Sequence, residues 1–166
     1  MSSKSYAIKE GGGNVIATID DVEEIADFYT EYLNPKAEDE NAVYSNIKAF
    51  LLKHIADSVH VSILRMDNEI VSMAILSERI HVPDEDDTGF QTYDGFLNLV
   101  YTRADYRGRH LATGCVNEIL TLAHNNGYRC VYAEHSDKIS DIWKRMGFVD
   151  TGKTFVFKEM KEITHV

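Results

Sequence analysis

Two stretches in the first third of the chain carry apolar residues at helical spacing. The first predicts a helix with its N-cap at Thr18 or Asp20 and its end near Leu33. Asn34-Pro35 then ends this helix, because the residue before a proline avoids the helical region. The second predicts a helix over residues 41–56. Its apolar face, which we expect to be buried, consists of Val43, Ile47, Phe50, Leu51 and Ile55.

Strand patterns dominate the middle of the chain. Short apolar or alternating runs predict four strands before residue 103, at residues 15–17, 59–66, 69–80 and 96–102. Asp67-Asn68 supplies a tight turn between the second and third of them. The stretch from His81 to Asp94 is polar and acidic, which predicts a surface loop.

The last third returns to helical spacing between Leu111 and Asn125, and Asn126-Gly127 closes this helix. Its inward face is predicted to consist of Leu111, Cys115, Val116, Ile119, Leu120 and Ala123. Three further elements are predicted after it: a strand over 128–133, a short helix over 138–146, and a terminal β pair from Gly147 that is split by Gly152.

This order of elements predicts a single α/β (α+β) domain over residues 1–166, in which residues 1–13 form a flexible N-terminal segment. The central sheet should be mixed and mostly antiparallel, with helices on its faces. One βαβ unit, the strand ending at Thr102 with the following helix and strand, should pair in parallel.

Composition narrows the function classes. The 166 residues contain 17 Lys+Arg and 27 Asp+Glu, for a net charge of −10, which argues against nucleic acid or an anionic membrane as a partner. Cys115 and Cys130 lack metal-ligand or disulfide-framework spacing, so we expect free thiols, a cytoplasmic location and no metal. The charge is uneven: residues 1–100 hold 19 of the 27 acids, and residues 101–166 hold 10 of the 17 bases.

The junction between the strand ending at Thr102 and the next helix predicts a phosphate site. The N-terminus of a helix presents free backbone N–H groups and the positive end of its dipole. Arg107 and Arg109 flank Gly108 there, which adds positive charge where the backbone can approach a ligand. The loop is neither a Walker loop nor a dinucleotide Gly-x-Gly-x-x-Gly.

Two motifs in this region resemble one known family. Tyr106–Ala112 (YRGRHLA) resembles the Arg/Gln-x-x-Gly-x-Gly/Ala pyrophosphate loop of the GNAT superfamily of acyl-CoA-dependent N-acyltransferases. Ser136–Phe148 resembles the family's second signature, Leu-Tyr-x-Lys-x-Gly-Phe. The likeness covers residues 14–160. Two positions depart from it: His110 replaces a usual glycine, and Trp143 replaces a tyrosine that is the usual candidate for protonating the leaving thiolate.

The resemblance implies acetyl-CoA as co-substrate. The residues that would contact it are Val100, Tyr101, Thr102, Arg107, Gly108, Arg109, His110, Leu111, Ala112, Ser136 and Trp143. It also implies that the backbone N–H of Val100 polarises the thioester carbonyl. Candidates for general base on the acceptor are Glu78, Glu134 and His135. Tyr101 and Tyr132 could position a water there, and each of these residues would equally suit a solvated strand end.

The implied reaction is acetyl transfer to a primary amine in a ternary complex. Acidic residues at 38–40 and 84–87 favour a cationic acceptor, either a small molecule or a peptide, although they would equally suit solvated loops. The alternative function is a non-catalytic acyl-CoA-binding module that regulates a partner. A homodimer is compatible with either function.

Overall fold

The computed structural model describes residues 13–80, 82, 93–134, 140–152 and 154–157. The elements, in chain order, are β1 Asn14–Ile16, α1 Val22–Leu33, α2 Glu40–His54, β2 Val59–Met66, β3 Glu69–Ile80, β4 Tyr93–Thr102, α3 Leu111–Asn125, β5 Val131–Glu134, α4 Ser140–Arg145, β6 Val149–Asp150 and β7 Thr154–Phe157. The predicted segment 1–13 lies outside the described residues except for Gly13.

The seven described strands form one sheet in the order β1-β2-β3-β4-β5-β7-β6. Neighbouring strands run antiparallel except for β4 and β5, which pair in parallel across the α3 crossover. The predicted fold class and its single βαβ unit are therefore confirmed.

Helices cover both faces of the sheet, and each face has its own apolar core. One core lies under α3 and includes Val116, Ile119 and Leu97. The other lies under α1 and α2 and includes Ile25, Phe28 and Leu99. Leu97 and Leu99 therefore lie on opposite faces of the sheet, although only Asn98 separates them and regular alternation would place both on the same face.

That reversal comes from a β-bulge at Asn98. Leu97 pairs with Leu76 and Leu99 pairs with Ile75, so Asn98 is an extra residue with no partner on β3. A bulge bends its strand and increases the local twist. β4 and β5 pair only from Gly95–Val131 to Leu97–Ala133, and β4 then runs on to Thr102 with no pairing to β5 among the described residues. The two strands separate where the bulge lies.

Most predicted boundaries hold within two residues, and two strands differ. β4 begins at Tyr93, so Tyr93 and Asp94 are not loop as predicted. Asp94 is buried because Arg129 pairs with both of its carboxylate oxygens, at 2.9 and 3.0 Å. β5 begins at Val131 instead of Tyr128, because the Tyr128 N–H donates to Ala123 O and completes the end of α3.

The helices differ from expectation at their ends and on one face. The Thr18 hydroxyl oxygen accepts a hydrogen bond from the Asp20 N–H, and the Asp21 carboxylate accepts one from the Thr18 N–H. These bonds cap a short 3-10 turn, and α1 starts only at Val22. Asn34 ends α1 in the left-handed conformation, at φ 44°. Phe50, which the helical spacing predicts to be buried, is half exposed, since it lines a cavity between α2 and the sheet.

Candidate functional site

The loop before α3 has the backbone conformation that its glycine-and-arginine sequence suggests. Gly108 has φ 79°, and a side chain built there would meet nothing within 4 Å. His110 is the N-cap of α3 and adopts the left-handed conformation at φ 58°, with no side-chain capping bond. The first N–H groups of α3 are therefore available to an anion beside Gly108.

A cavity of about 590 Å³ lies over this loop, on the α3 side of β4. It is lined by Thr102, Tyr106, Arg107, Gly108, His110, Leu111, Ala112, Thr113, Ile142, Arg145 and Met146. The cavity therefore brings together residues of both sequence motifs, from the loop that leads into α3 and from the end of α4. Two arginines and no carboxylate line it among the described residues, so it favours an anionic ligand.

The two loop arginines occupy different positions. The Arg107 Nε–H donates to Thr102 O at 3.1 Å, and its guanidinium lies 5.9 Å from the centre of the Tyr101 ring. Arg109 lies over the Tyr106 ring at 5.5 Å and does not line the cavity. Arg145 does line it. The sequence could have identified Arg145, because it occupies the lysine position of the second signature.

The gap between β4 and β5 exposes backbone donors of β4. Arg103 N–H donates to Val71 O on β3 at 2.9 Å. Because N–H directions alternate along an antiparallel strand, the N–H of Val100 points away from β3 and toward the gap. Thr102, two residues on, has the same orientation, and its hydroxyl lies 2.8 Å from Ser72 Oγ.

The Tyr101 side chain lies on the α1–α2 face of β4, opposite to that of Val100, in an aromatic cluster with α1. Its ring centre is 5.2 Å from that of Phe28 and 5.0 Å from that of Tyr32. The Tyr101 ring thus links α1 to the end of β4, next to the Arg107 guanidinium. The ring is thus packed among these groups, and no described carboxylate or imidazole bonds to its hydroxyl.

The two predicted carboxylates are on opposite faces of the sheet. Glu78 faces the α3 core, where it accepts a hydrogen bond from the Tyr128 hydroxyl and lies 3.0 Å from His60 Nε2. Burial, followed by this bond, raises the pKa of Tyr128, so the hydroxyl remains the donor. Glu78 does not line the cavity over the loop before α3.

Glu134, by contrast, is exposed at the end of β5. Val131 and Ala133 belong to the α3 core, so alternation along β5 directs Glu134 to the α1–α2 face. Ser136 and His135 lie outside the described residues. Of the carboxylates proposed from sequence, Glu134 is the one beside the gap.

Trp143 packs inward from α4. It is 4% exposed, and its ring centre lies 5.0 Å from that of Phe148 in the α3 core. The indole Nε1 has no hydrogen-bond partner among the described residues. Its neighbours Ile142 and Met146 line the anion-favouring cavity, while Trp143 does not.

A second cavity, of about 410 Å³, opens on the α1–α2 face of the sheet. It is lined by Tyr29, Asn46, Ile47, Phe50, Leu51, Val59, Ile75, Ser77 and Asn98. The bulge residue Asn98 lies in its wall. Sequence reasoning missed this cavity, because a bulge leaves no mark in the hydrophobic pattern of β4.

Of the acidic residues predicted to attract the acceptor, those at 38–40 do not line this second cavity. Glu38 and Asp39 are exposed in the turn before α2, and residues 84–87 lie outside the described residues. Asp27, Glu31 and Glu40 line a separate cleft between α1 and α2. Glu31 there is paired with Arg103 at 2.8 Å.

The two cysteines are poorly suited to nucleophilic catalysis. Burial raises the pKa of the Cys115 thiol to about 11 and that of Cys130 to about 11. Both thiols are therefore protonated near neutral pH, and both are buried. A thiolate is the nucleophilic form, so transfer through an acyl-cysteine finds no support in these residues.

Comparison with known proteins agrees with this geometry. The model of the acetyltransferase (GNAT) family matches residues 19–148, and the chain belongs to this family. A comparison with curated protein sequences gives no significant match. No helix among the described residues is both long and apolar enough to cross a membrane.

Solved structures with the same fold include the following three acetyltransferases. A predicted acetyltransferase from Clostridium acetobutylicum with acetyl-CoA has a TM-score of 0.67 at 18% identity, covering 84% of this chain and 91% of its own. A GCN5-related N-acetyltransferase from Ralstonia eutropha JMP134 has a TM-score of 0.69 at 17% identity, and the match covers 86% of this chain and 95% of that structure's chain. The aminoglycoside N-acetyltransferase AAC(6')-Iy, in complex with a bisubstrate analogue, has a TM-score of 0.65 at 20% identity, covering 84% and 92%.

The positions of the arginines predict how substitutions affect acetyl-CoA binding. Arg107→Ala should weaken binding by about 1–3 kcal/mol, the scale of a lost charge-assisted hydrogen bond. Arg109→Ala should cost less, because its side chain lies outside the cavity. Isothermal titration calorimetry measures both, with the exposed Lys36→Ala as a charge-matched control. Dissociation constants unchanged in both arginine variants would contradict a phosphate site at this loop.

The left-handed backbone at His110 gives a second prediction. His110→Gly should leave the acetyl-CoA dissociation constant unchanged or lower it, because glycine adopts φ 58° without steric cost. His110→Ala is the matched variant, since it removes the imidazole but keeps the Cβ. A tenfold or greater loss of affinity in both variants would show that the imidazole itself contacts the ligand.

Proposed function

We propose that the protein transfers an acetyl group from acetyl-CoA to a primary amine, by direct attack of the amine within a ternary complex. One observation carries the proposal: an anion-favouring cavity and an apolar cavity lie on opposite faces of β4, and the strand gap lies between them. A donor and an acceptor could thus be bound together and meet in the gap. Binding both reactants in one orientation lowers the barrier by proximity.

The described residues fit the pyrophosphate of acetyl-CoA. The uncapped N-terminus of α3 offers N–H donors, Gly108 leaves room for close backbone approach, and Arg107 and Arg145 supply positive charge. When bound, acetyl-CoA would supply the acetyl group as a reactive thioester. The backbone N–H of Val100, which points into the gap, would donate a hydrogen bond to the acetyl carbonyl oxygen.

The acceptor amine must lose a proton before it attacks. A free amine has a pKa of about 10, so it is mostly protonated near neutral pH. Glu134 is the carboxylate whose strand position places it beside the gap on the acceptor face, and we assign it the role of general base. Glu78 is left with a structural role, since it joins His60 to Tyr128 within the α3 core.

The departing thiolate needs little help from the protein. A thiol has a reference pKa of about 8.5, so its thiolate is a good leaving group near pH 8. Indole N–H donates a hydrogen bond but is no proton source at this pH. The buried position of Trp143 is consistent with a reaction that proceeds without a general acid.

Thiol release from acetyl-CoA tests the proposed function directly. With a panel of primary amines at pH 8, we expect amine-dependent release, and mass spectrometry should find the acetylated amine. Arg107→Ala should raise the KM for acetyl-CoA in the same assay. Binding of acetyl-CoA without amine-dependent release for any amine would favour the non-catalytic binding module.

The assignment of Glu134 predicts a pH-dependent defect. Glu134→Gln should lower kcat/KM for the amine by about 10²-fold at pH 7, the low end of general base catalysis. The defect should shrink as the pH approaches the pKa of the amine, because the neutral amine then needs no base. Glu78→Gln is the matched control and should retain the wild-type pH profile. A defect in Glu134→Gln that is constant with pH would contradict the assignment.

A further inference from the structure

The second cavity has a distinct chemical character. Six of its lining residues are apolar or aromatic: Tyr29, Ile47, Phe50, Leu51, Val59 and Ile75. The other three, Asn46, Ser77 and Asn98, are polar and uncharged. No described residue that lines the cavity carries a charge. Its volume of about 410 Å³ lies in the range typical of small-molecule sites.

The cavity lies next to the reacting centre of the proposed function. Asn98 lines it from the bulge of β4, and Val100 is only two residues further along the strand. Two residues of strand span about 7 Å, so a molecule seated in the cavity can bring one end to the gap between β4 and β5. The uncharged polar groups Asn98 and Ser77 lie at this end, on the sheet.

The other end of the cavity is apolar. Phe50 and Ile47 extend from α2, and Phe50 remains 51% exposed although it is a large aromatic side chain. Burying an apolar group here removes two apolar surfaces from water. A charged group would lose its hydration and find no opposite charge among the lining residues, which is unfavourable.

We propose that the acceptor amine is borne by an uncharged aromatic or branched aliphatic group, and that this group occupies the second cavity. The proposal rests on the proposed function and replaces the cationic acceptor that the acidic sequence segments suggest. Phe50 is its main specificity-determining residue. The neutral amine lies at the Asn98 end, and the apolar group lies between α2 and the sheet.

The chain offers a matched pair of variants for the test. Phe50 and Leu52 are both on α2 and are 51% and 49% exposed, but only Phe50 lines the cavity. Phe50→Asp places a carboxylate in the cavity, while Leu52→Asp places one on the same helix outside it. Circular dichroism and the unfolding midpoint establish that both variants are folded, and Phe50→Ala provides a milder change if Phe50→Asp does not fold.

The first readout is kcat/KM at saturating acetyl-CoA for phenethylamine, isoamylamine, spermidine and a tripeptide with an N-terminal Phe. Wild type should prefer phenethylamine and isoamylamine over spermidine by at least tenfold. Phe50→Asp should reduce this ratio at least tenfold, mainly through KM, while Leu52→Asp retains it. A preference for the tripeptide over phenethylamine would identify a peptide N-terminus as the source of the same apolar group.

The second readout is the binding of phenethylamine to the CoA-loaded protein, measured by calorimetry, which does not depend on turnover. We expect binding in wild type and in Leu52→Asp, and no binding in Phe50→Asp. Binding without acetyl transfer would uphold the cavity assignment and overturn the proposed function. Transfer that favours spermidine, or a ratio unchanged in Phe50→Asp, would overturn the cavity assignment and leave the proposed function standing. Neither binding nor transfer would overturn both.

Discussion

The separation of β4 from β5 is the constraint on which the rest of the site depends. Three residue pairs hold the two strands together, and the bulge at Asn98 turns β4 away immediately after them. A regular parallel pair would hydrogen-bond the N–H of Val100 to β5 and close the gap. The bulge thus leaves part of the central sheet unpaired, in a position where the helices α1 and α3 cover the two faces on either side of it.

The same bulge reverses the side chains of β4 partway along the strand. Leu97 packs under α3, and Leu99 packs under α1, so one strand contributes to both cores. Asn98 is left over by this reversal and forms part of the wall of the apolar cavity. An irregularity of a single residue therefore shapes both the gap and the neighbouring binding surface.

Sequence reasoning succeeded where the information is local. The helix over Leu111–Asn125 and the strand over Glu69–Ile80 have the predicted ends, because periodicity and turn residues mark them. It failed for Asp94, which reads as loop until Arg129, 35 positions away, pairs with it. It failed for Phe50, since helical spacing cannot show that a cavity lies beneath that face. The position of the loop before α3 is readable from its glycine and arginines, whereas the arrangement of the α1–α2 face depends on long-range packing.

The Arg107 guanidinium is already held in place by the protein itself. Its bond to the Thr102 carbonyl and its position over the Tyr101 ring restrict its rotamers, and Tyr101 is in turn packed against Phe28 and Tyr32 of α1. The loss of side-chain entropy that a flexible arginine would incur on contact with an anion has therefore occurred in large part during folding. Helix α1 is in this way connected to the loop before α3 through three aromatic rings. Loosening α1 would free the guanidinium, so packing on the α1–α2 face also affects how rigidly Arg107 is held beside the anion-favouring cavity.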